Sequence, residues 1–495
     1  MLLTIAVFVL SAAYKSYTTP LWFDEFFTLF LSRLSSISEL MKAIPADGQP
    51  PLQYLITHLS LVWLGESALS VRLPELLAYM AVGLLTYRIV RRHGTAIQAL
   101  FALTCVMGAE VSAYQAYTAR PYELLLAFTA LVFFCWQVAA SRCQSRILPL
   151  CGVAFGIAGA ILSHHFGVVN IGVMLGAGEA ARLIQRRRVD GMMLAAIATG
   201  LLPLAITIPL AEQSHRLLGE PILLSKIFWA KPSAADLLSY LGMFPVLLLF
   251  LTVPLVFVRW SEQPGADGSM SVNSVPAYEW AAVGALCMLV AVQLGIAAIA
   301  TNYFQAKYAI GTALGLALLG GWGVPRIGRL RRGAQAALAL GALYFLIVVT
   351  VQLVGGPVSH RAQAAQPGEN AVSSLLPEAP GSLPIVVANA FDYAPDWWYS
   401  PPNLRKRLVY LSDPQYAVSQ KDFLPELSLD LDKRYTPLPT SDYNSFVQSH
   451  SRFLLLRSGK DRLDWLPARL SSAGWHLKPI AKSGNNVLYQ VVRRQ

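Results

Sequence analysis

Apolar runs of about 17–22 residues recur roughly eleven times along this chain, and each is long enough to cross a bilayer as a helix. They fall near 2–19, 73–90, 95–112, 121–140, 147–163, 166–184, 191–210, 237–258, 279–300, 309–324 and 334–354. Only 14% of the residues are charged, against roughly 25% in soluble domains. The chain therefore reads as a polytopic α-helical membrane protein. Residues 2–13 have no basic residue before them and no clear small-residue cleavage site, so they read as a first transmembrane helix rather than a cleaved signal.

The loops between the runs alternate in charge. One set carries Arg88, Arg91 and Arg92; Arg142 and Arg146; Arg186, Arg187 and Arg188; Arg259; and Arg326, Arg329, Arg331 and Arg332. Short loops rich in Lys and Arg stay cytoplasmic. That puts the N-terminus inside and 20–72, 112–121, 163–166, 211–236, 301–309 and everything after 355 outside. The net charge of +11 is thus a mark of membrane topology and gives no reason to expect a nucleic-acid partner. The five cysteines lie in or beside apolar spans with no metal-ligand spacing, which argues against a disulfide framework.

The first outer loop opens with Trp22-Phe23-Asp24-Glu25. Two adjacent carboxylates at the mouth of a membrane bundle are either solvated loop acids or groups with a task. Residues 25–43 predict one amphipathic helix in the interface plane, with Phe26, Phe27, Phe30, Leu34, Ile37 and Met41 on one face. Asp47-Gly48-Gln49-Pro50-Pro51 breaks it, and a short helix resumes over 52–64. The outer loop 211–236 carries Lys226, Trp229 and Lys231 near the interface.

After 355 the composition changes. Residues 356–384 are rich in Ala, Gly, Pro and Ser and read as a linker. Residues 385–495 hold strand-length apolar runs at Pro384–Ala388, Arg407–Leu411 and Phe453–Arg457, with a closing pair at 474–477 and 486–492. They predict a small α/β domain on the outer side. Asp430-Leu-Asp432 imitates the DxD of nucleotide-sugar enzymes, but it is isolated and lies outside, away from cytosolic nucleotide sugars.

Several cations stand at outer ends of spans, against the cytoplasmic bias: Arg72, Arg120 in Tyr117-Thr-Ala-Arg-Pro-Tyr122, and Lys307 in Tyr303-Phe-Gln-Ala-Lys-Tyr308. Each is either a cation snorkelling to the interface or a ligand for phosphate oxygens. His164-His165 closes the fifth span on the same face and could hold a divalent metal with a carboxylate, bind phosphate, or simply pack. An acidic pair facing several cations is the complement needed for group transfer from a phosphate-linked carrier: a base for the acceptor and positive charge for the leaving phosphate.

Asp24-Glu25 after a first span, Gln49-Pro-Pro-Leu52, Glu66-Ser-Ala-Leu-Ser-Val-Arg-Leu-Pro74, Ala119-Arg-Pro-Tyr122 and Lys307-Tyr308 follow one another in an order that resembles the GT-C integral-membrane glycosyltransferases. The chain is most similar to the bacterial relatives of protein O-mannosyltransferase and of the lipid A aminoarabinose transferase. The resemblance covers roughly residues 1–330. Gln49 stands where such proteins often have His or Lys, and Lys307 where Arg is common.

The resemblance implies a GT-C domain over 1–355 in a bacterial inner membrane, with the 385–495 domain in the periplasm. It implies a polyprenyl-phosphate sugar as donor and a hydroxyl of a protein, lipid or glycan as acceptor, with inversion. Asp24 would be the base and Glu25 its helper. Arg120, Lys307 and Tyr308 would bind the donor phosphate, and Gln49, Arg72, Tyr122, His164 and His165 would shape the pocket. Metal participation stays open. The alternatives are a transporter or flippase of lipid-linked sugars, which would need polar groups along the spans, and a membrane-anchored binding module.

Overall fold

The computed structural model describes residues 1–141, 145–219, 232–233, 235–237, 275–301, 304–323, 347, 375, 381–419, 424–458 and 465–493. Nearly all of the runs at 334–354 and 237–258, the loop cations Lys226 and Lys231 and most of the 356–384 linker lie outside these residues.

The membrane part is built from α1 (Leu2–Thr18), α2 (Phe23–Ser32), α3 (Ile37–Asp47), α4 (Leu52–Leu64), α5 (Ala68–Arg91), α6 (Ala96–Gly108), α7 (Glu110–Gln115), α8 (Tyr122–Ser141), α9 (Ile147–Ser163), α10 (Gly167–Arg186), α11 (Gly191–Gly200), α12 (Leu204–Ser214), α13 (Ala277–Cys287), α14 (Leu289–Ile296) and α15 (Gly311–Gly323). Among the described residues, α5, α8 and α10 are each long and apolar enough to cross a membrane alone. The pairs α11–α12 and α13–α14 qualify together, bent by 41° and 52°. The side chains of Ser67 and Thr95 cap the N-termini of α5 and α6. Helices α8, α9 and α5 pack together, as do α10, α13 and α15. The turn from α9 to α10 is tight: a Cβ at Gly167 would meet the Ala160 carbonyl oxygen at 2.2 Å, so only glycine fits there.

The first outer loop departs from the single helix expected over 25–43. It forms two, because Ser36 starts a new helix: its Oγ accepts the Glu39 N–H at 3.1 Å. Helix α3 then ends where Gly48 adopts φ +73°. Nor does α2 lie with one face on lipid. Phe23 and every residue from Glu25 to Ser32 are buried, because α3, α4, α5 and the C-terminal domain all pack on the helix.

That domain is a six-stranded sheet in the order β3-β2-β1-β4-β6-β5. Strands β1 (Ile385–Val387), β2 (Leu408–Ser412), β3 (Thr440–Asp442) and β4 (Arg452–Ser458) run parallel, and β5 (Trp475–Ser483) and β6 (Asn486–Arg493) close it antiparallel. Helix α16 (Ala390–Tyr399) follows β1 and packs on α2. One hydrophobic core therefore runs from the first outer loop into one face of the sheet, through Phe26, Phe30, Tyr393 and Leu454. Cys105, Cys135, Cys151 and Cys287 are free thiols.

Candidate active site

Helices α1 and α2 meet at 90°. A right-angle corner breaks the helical ladder and strands backbone carbonyls in an apolar setting, where each needs a donor. Arg72, from the first turns of α5, supplies them. Its Nη1 donates to Ser16 O at 2.9 Å and Thr19 O at 2.7 Å, and its Nη2 to Pro20 O at 3.0 Å. Its remaining N–H groups make a bidentate pair with Glu25, both bonds 2.6 Å long. Glu25 also accepts the Ala119 N–H at 2.7 Å and the Trp22 N–H at 3.1 Å.

Glu25 and Arg72, read from the sequence as a helper to Asp24 and as a pocket residue, are thus committed to the corner. Both side chains are essentially inaccessible, and every oxygen of the carboxylate is filled. Such a pair is architecture: removing one partner leaves a buried charge uncompensated, at a cost of about 3–5 kcal/mol.

The same contacts fix what faces Asp24. Ala119 gives its N–H to Glu25 and receives Thr28 Oγ1 on its carbonyl at 2.9 Å, so two hydrogen bonds join α2 to the 119–121 loop. Arg120 therefore lies against α2, with Nη1 3.3 Å from the Asp24 main-chain oxygen. The same nitrogen meets both oxygens of Asp47, at 3.1 and 3.3 Å, and Tyr54 Oη donates to that carboxylate as well. Burial opposes charge on Arg120, but Asp47 and then Asp24 hold it firmly protonated. Asp24 itself is half-buried.

An aromatic group completes the face. Tyr122 and Tyr308 stack at 6.1 Å, His164 lies 5.2 Å from Tyr122 and 5.1 Å from Tyr308, and Phe166 stacks on Tyr308 at 4.9 Å. Lys307 Nζ sits 4.8 Å above the Tyr122 ring. The Tyr308 carbonyl accepts from Asn170 Nδ2 at 3.2 Å and Gln293 Nε2 at 3.1 Å, which pins the short 306–309 turn to α10 and α14. His164 Nδ1 accepts the Phe166 N–H at 3.1 Å, so its proton resides on Nε2. Burial first, then His165, Lys307 and Arg120, hold the His164 pKa well below the ordinary histidine value. Burial takes His165 down to about 4.

Three side chains of this cluster carry a buried polar atom with no partner among the described residues, Arg120 Nε, His164 Nε2 and His165 Nε2; Gln49 Oε1, two residues past Asp47, also lacks one. Other buried polar atoms among the described residues also lack a partner, but these gather beside one cationic face, where a ligand or water would meet them. Among the described residues, no three His, Cys, Asp or Glu side chains come together as a metal site.

Asp47, Tyr54, Asn170 and Gln293 are missing from the sequence-derived set. Asp47 stood in plain sight inside a turn signal. Its position on the outer face, the same ground on which Asp24 was chosen, could have found it. Mid-span acids are also more numerous than the hydropathy suggests: Glu75, Glu123 and Glu279 are fully buried, with Glu75 accepting the Leu124 N–H and Glu123 the Ser112 hydroxyl.

The family model described as dolichyl-phosphate-mannose-protein mannosyltransferase matches residues 48–211, which hold Gln49, Arg72, Arg120, Tyr122, His164 and His165. The crystal structure of ArnT from Cupriavidus metallidurans bound to undecaprenyl phosphate superposes with a TM-score of 0.60 at 13% identity, covering 99% of this chain and 97% of that one. The chain has the GT-C glycosyltransferase fold. The apo structure of the same ArnT gives a TM-score of 0.59 at 14% identity, over 99% of this chain and 97% of that one. No curated protein sequence matches the chain. The likeness covers 99% of the chain, the C-terminal domain as well as the membrane helices.

Proposed function

We propose that this protein is a glycosyltransferase that moves a sugar from a polyprenyl-phosphate donor to an acceptor hydroxyl at the outer face of the membrane. The observation that carries this reading is the set of unpartnered buried groups on Arg120, which bonds the Asp24 main chain, and on His164, which stands near Arg120, with its neighbour His165. A phosphate monoanion or dianion meets their needs: Arg120 Nε and His164 Nε2 offer N–H donors, and Lys307 adds charge. The relative ArnT carries undecaprenyl phosphate in its crystal structure, which supports the same ligand class here.

In this reading the acceptor oxygen attacks the anomeric carbon while the bond from that carbon to the phosphate oxygen breaks. Asp24 takes or orients the hydroxyl proton, and the polyprenyl phosphate departs with the electron pair. Arg120 and Lys307 stabilise the growing negative charge on it. The leaving phosphate needs no proton, so one base suffices, and attack from the opposite face inverts the anomeric centre. Asp47 holds the Arg120 guanidinium in place, and Glu25 with Arg72 holds α2. The sidedness rests on the Lys and Arg bias of the loops.

The test is turnover of a panel of radiolabelled polyprenyl-phosphate sugars by the purified protein, with host membranes as acceptor and Asp24→Asn alongside. Label that reaches an acceptor with wild type and not with the variant supports the reading. Full activity in Asp24→Asn, or no release of polyprenyl phosphate from any donor by folded protein, overturns it.

A further inference from the structure

Arg72 satisfies the carbonyls of the α1–α2 corner, but it has no acceptor to offer the N–H of Leu21, which lies in the same corner and is 3% exposed. That group is met from the far end of the chain: Leu21 N–H donates to Tyr399 Oη at 2.9 Å, across 378 residues. Tyr399 is the last residue of α16 and stands within electrostatic reach of Glu25 and Arg72. The rest of α16 lies along α2 through rings. Phe391 packs edge-on to Phe23 at 5.1 Å, and Trp398 packs against Phe26 and Phe30, each at 5.9 Å. Helix α2 has only 10 residues, too short to be stable alone in water, and it carries Asp24 in its first turn.

We propose that α16 is a positioning element for the reaction: Tyr399 and Trp398 hold α2 so that Asp24 keeps its orientation against Arg120, and the outer domain thereby sets turnover. This rests on the function proposed above. A misplacement of about 1 Å at a reacting group lowers rate by up to about 100-fold, so the contacts act on kcat rather than on donor affinity.

The experiment compares wild type with Tyr399→Phe, Trp398→Ala and Trp398→Phe in the full chain, in detergent or proteoliposomes. It reads kcat and KM for whichever polyprenyl-phosphate sugar wild type uses, binding of undecaprenyl phosphate alone, and amide exchange over residues 19–32. Tyr399→Phe keeps the ring and removes only the acceptor. It is expected to lower kcat about tenfold, leave KM and undecaprenyl phosphate binding within about twofold, and speed exchange at Leu21. Trp398→Phe is expected to recover most of the loss seen in Trp398→Ala. Unchanged kcat in both Tyr399→Phe and Trp398→Ala overturns this inference alone, as does a parallel loss of undecaprenyl phosphate binding. An absence of transfer by wild type overturns the function proposed above and the inference with it.

Discussion

Asp24 and Glu25 are adjacent, and on a helix adjacent side chains point about 100° apart. That one step sends them to opposite fates. Glu25 turns into the α1–α2 corner, where four N–H contacts from Arg72, Ala119 and Trp22 saturate it. Asp24 lies within electrostatic reach of Arg120 and Tyr122, and Arg120 Nε has no partner among the described residues. A fully matched charge holds a fold together, whereas a charge beside unmatched donors leaves room for a substrate. Composition and position do not separate the two acids, but their partners do.

The comparison breaks most sharply at Asp24. Asp24→Asn is expected to lower transfer by about a thousandfold, in the range of a lost general base, with thermal stability and undecaprenyl phosphate binding near wild type. Glu25→Gln should do the reverse in kind. It leaves Arg72 buried without its counter-charge and should destabilise the protein by roughly 3 kcal/mol, read as lower thermal stability in detergent. A Glu25→Gln variant of normal stability and no activity would place Glu25 with the chemistry after all.

Arg120→Ala removes a charge-assisted donor from the open face, and should weaken undecaprenyl phosphate binding by about 10- to 100-fold in a direct binding assay. Equal affinity in that variant would move the phosphate elsewhere. The histidines give a pH signature. Their folded pKa values lie below the unfolded value, with His165 near 4. The unfolded chain therefore takes up protons that the folded one refuses as pH falls below about 6.5. Stability should be level above about pH 7 and decline by up to about 1.4 kcal/mol per pH unit for each histidine toward pH 4. Melting of wild type and His165→Asn across that window checks it: the variant should show the shallower slope. The smallest effect is expected at Ser36→Ala, which removes the cap of α3, the helix that carries Asp47. It should cost about 1 kcal/mol and lower turnover slightly, measured by melting and label transfer.

Much of the helix layout was legible. The spans near 147–163 and 121–140 and the short helix at 52–64 match α9, α8 and α4 closely, because lipid-length apolar runs leave the backbone no alternative to a helix. The helix expected over 25–43 was less legible. Its hydrophobic period is real, yet the Ser36 cap splits it into two helices, and α2 is buried at every residue but Asp24. Strand β3 was missed because three residues, Thr440–Asp442, carry no period to read. Of the candidate site, the outer-face cations and Asp24 were legible as charges out of keeping with their surroundings. Asp47 was not, since a turn signal explained its presence.

The sequence by itself determined that this chain crosses a membrane many times and that an acid and several cations stand at the ends of its spans, because desolvation makes each misplaced charge costly and therefore informative. The tertiary structure alone decided that Glu25 is saturated in the α1–α2 corner, that Arg120 is paired with Asp47, and that the last domain packs on α2. Those outcomes depend on contacts between residues such as Leu21 and Tyr399, or Glu25 and Ala119. No local period records such contacts; they exist only once the chain has brought distant segments together.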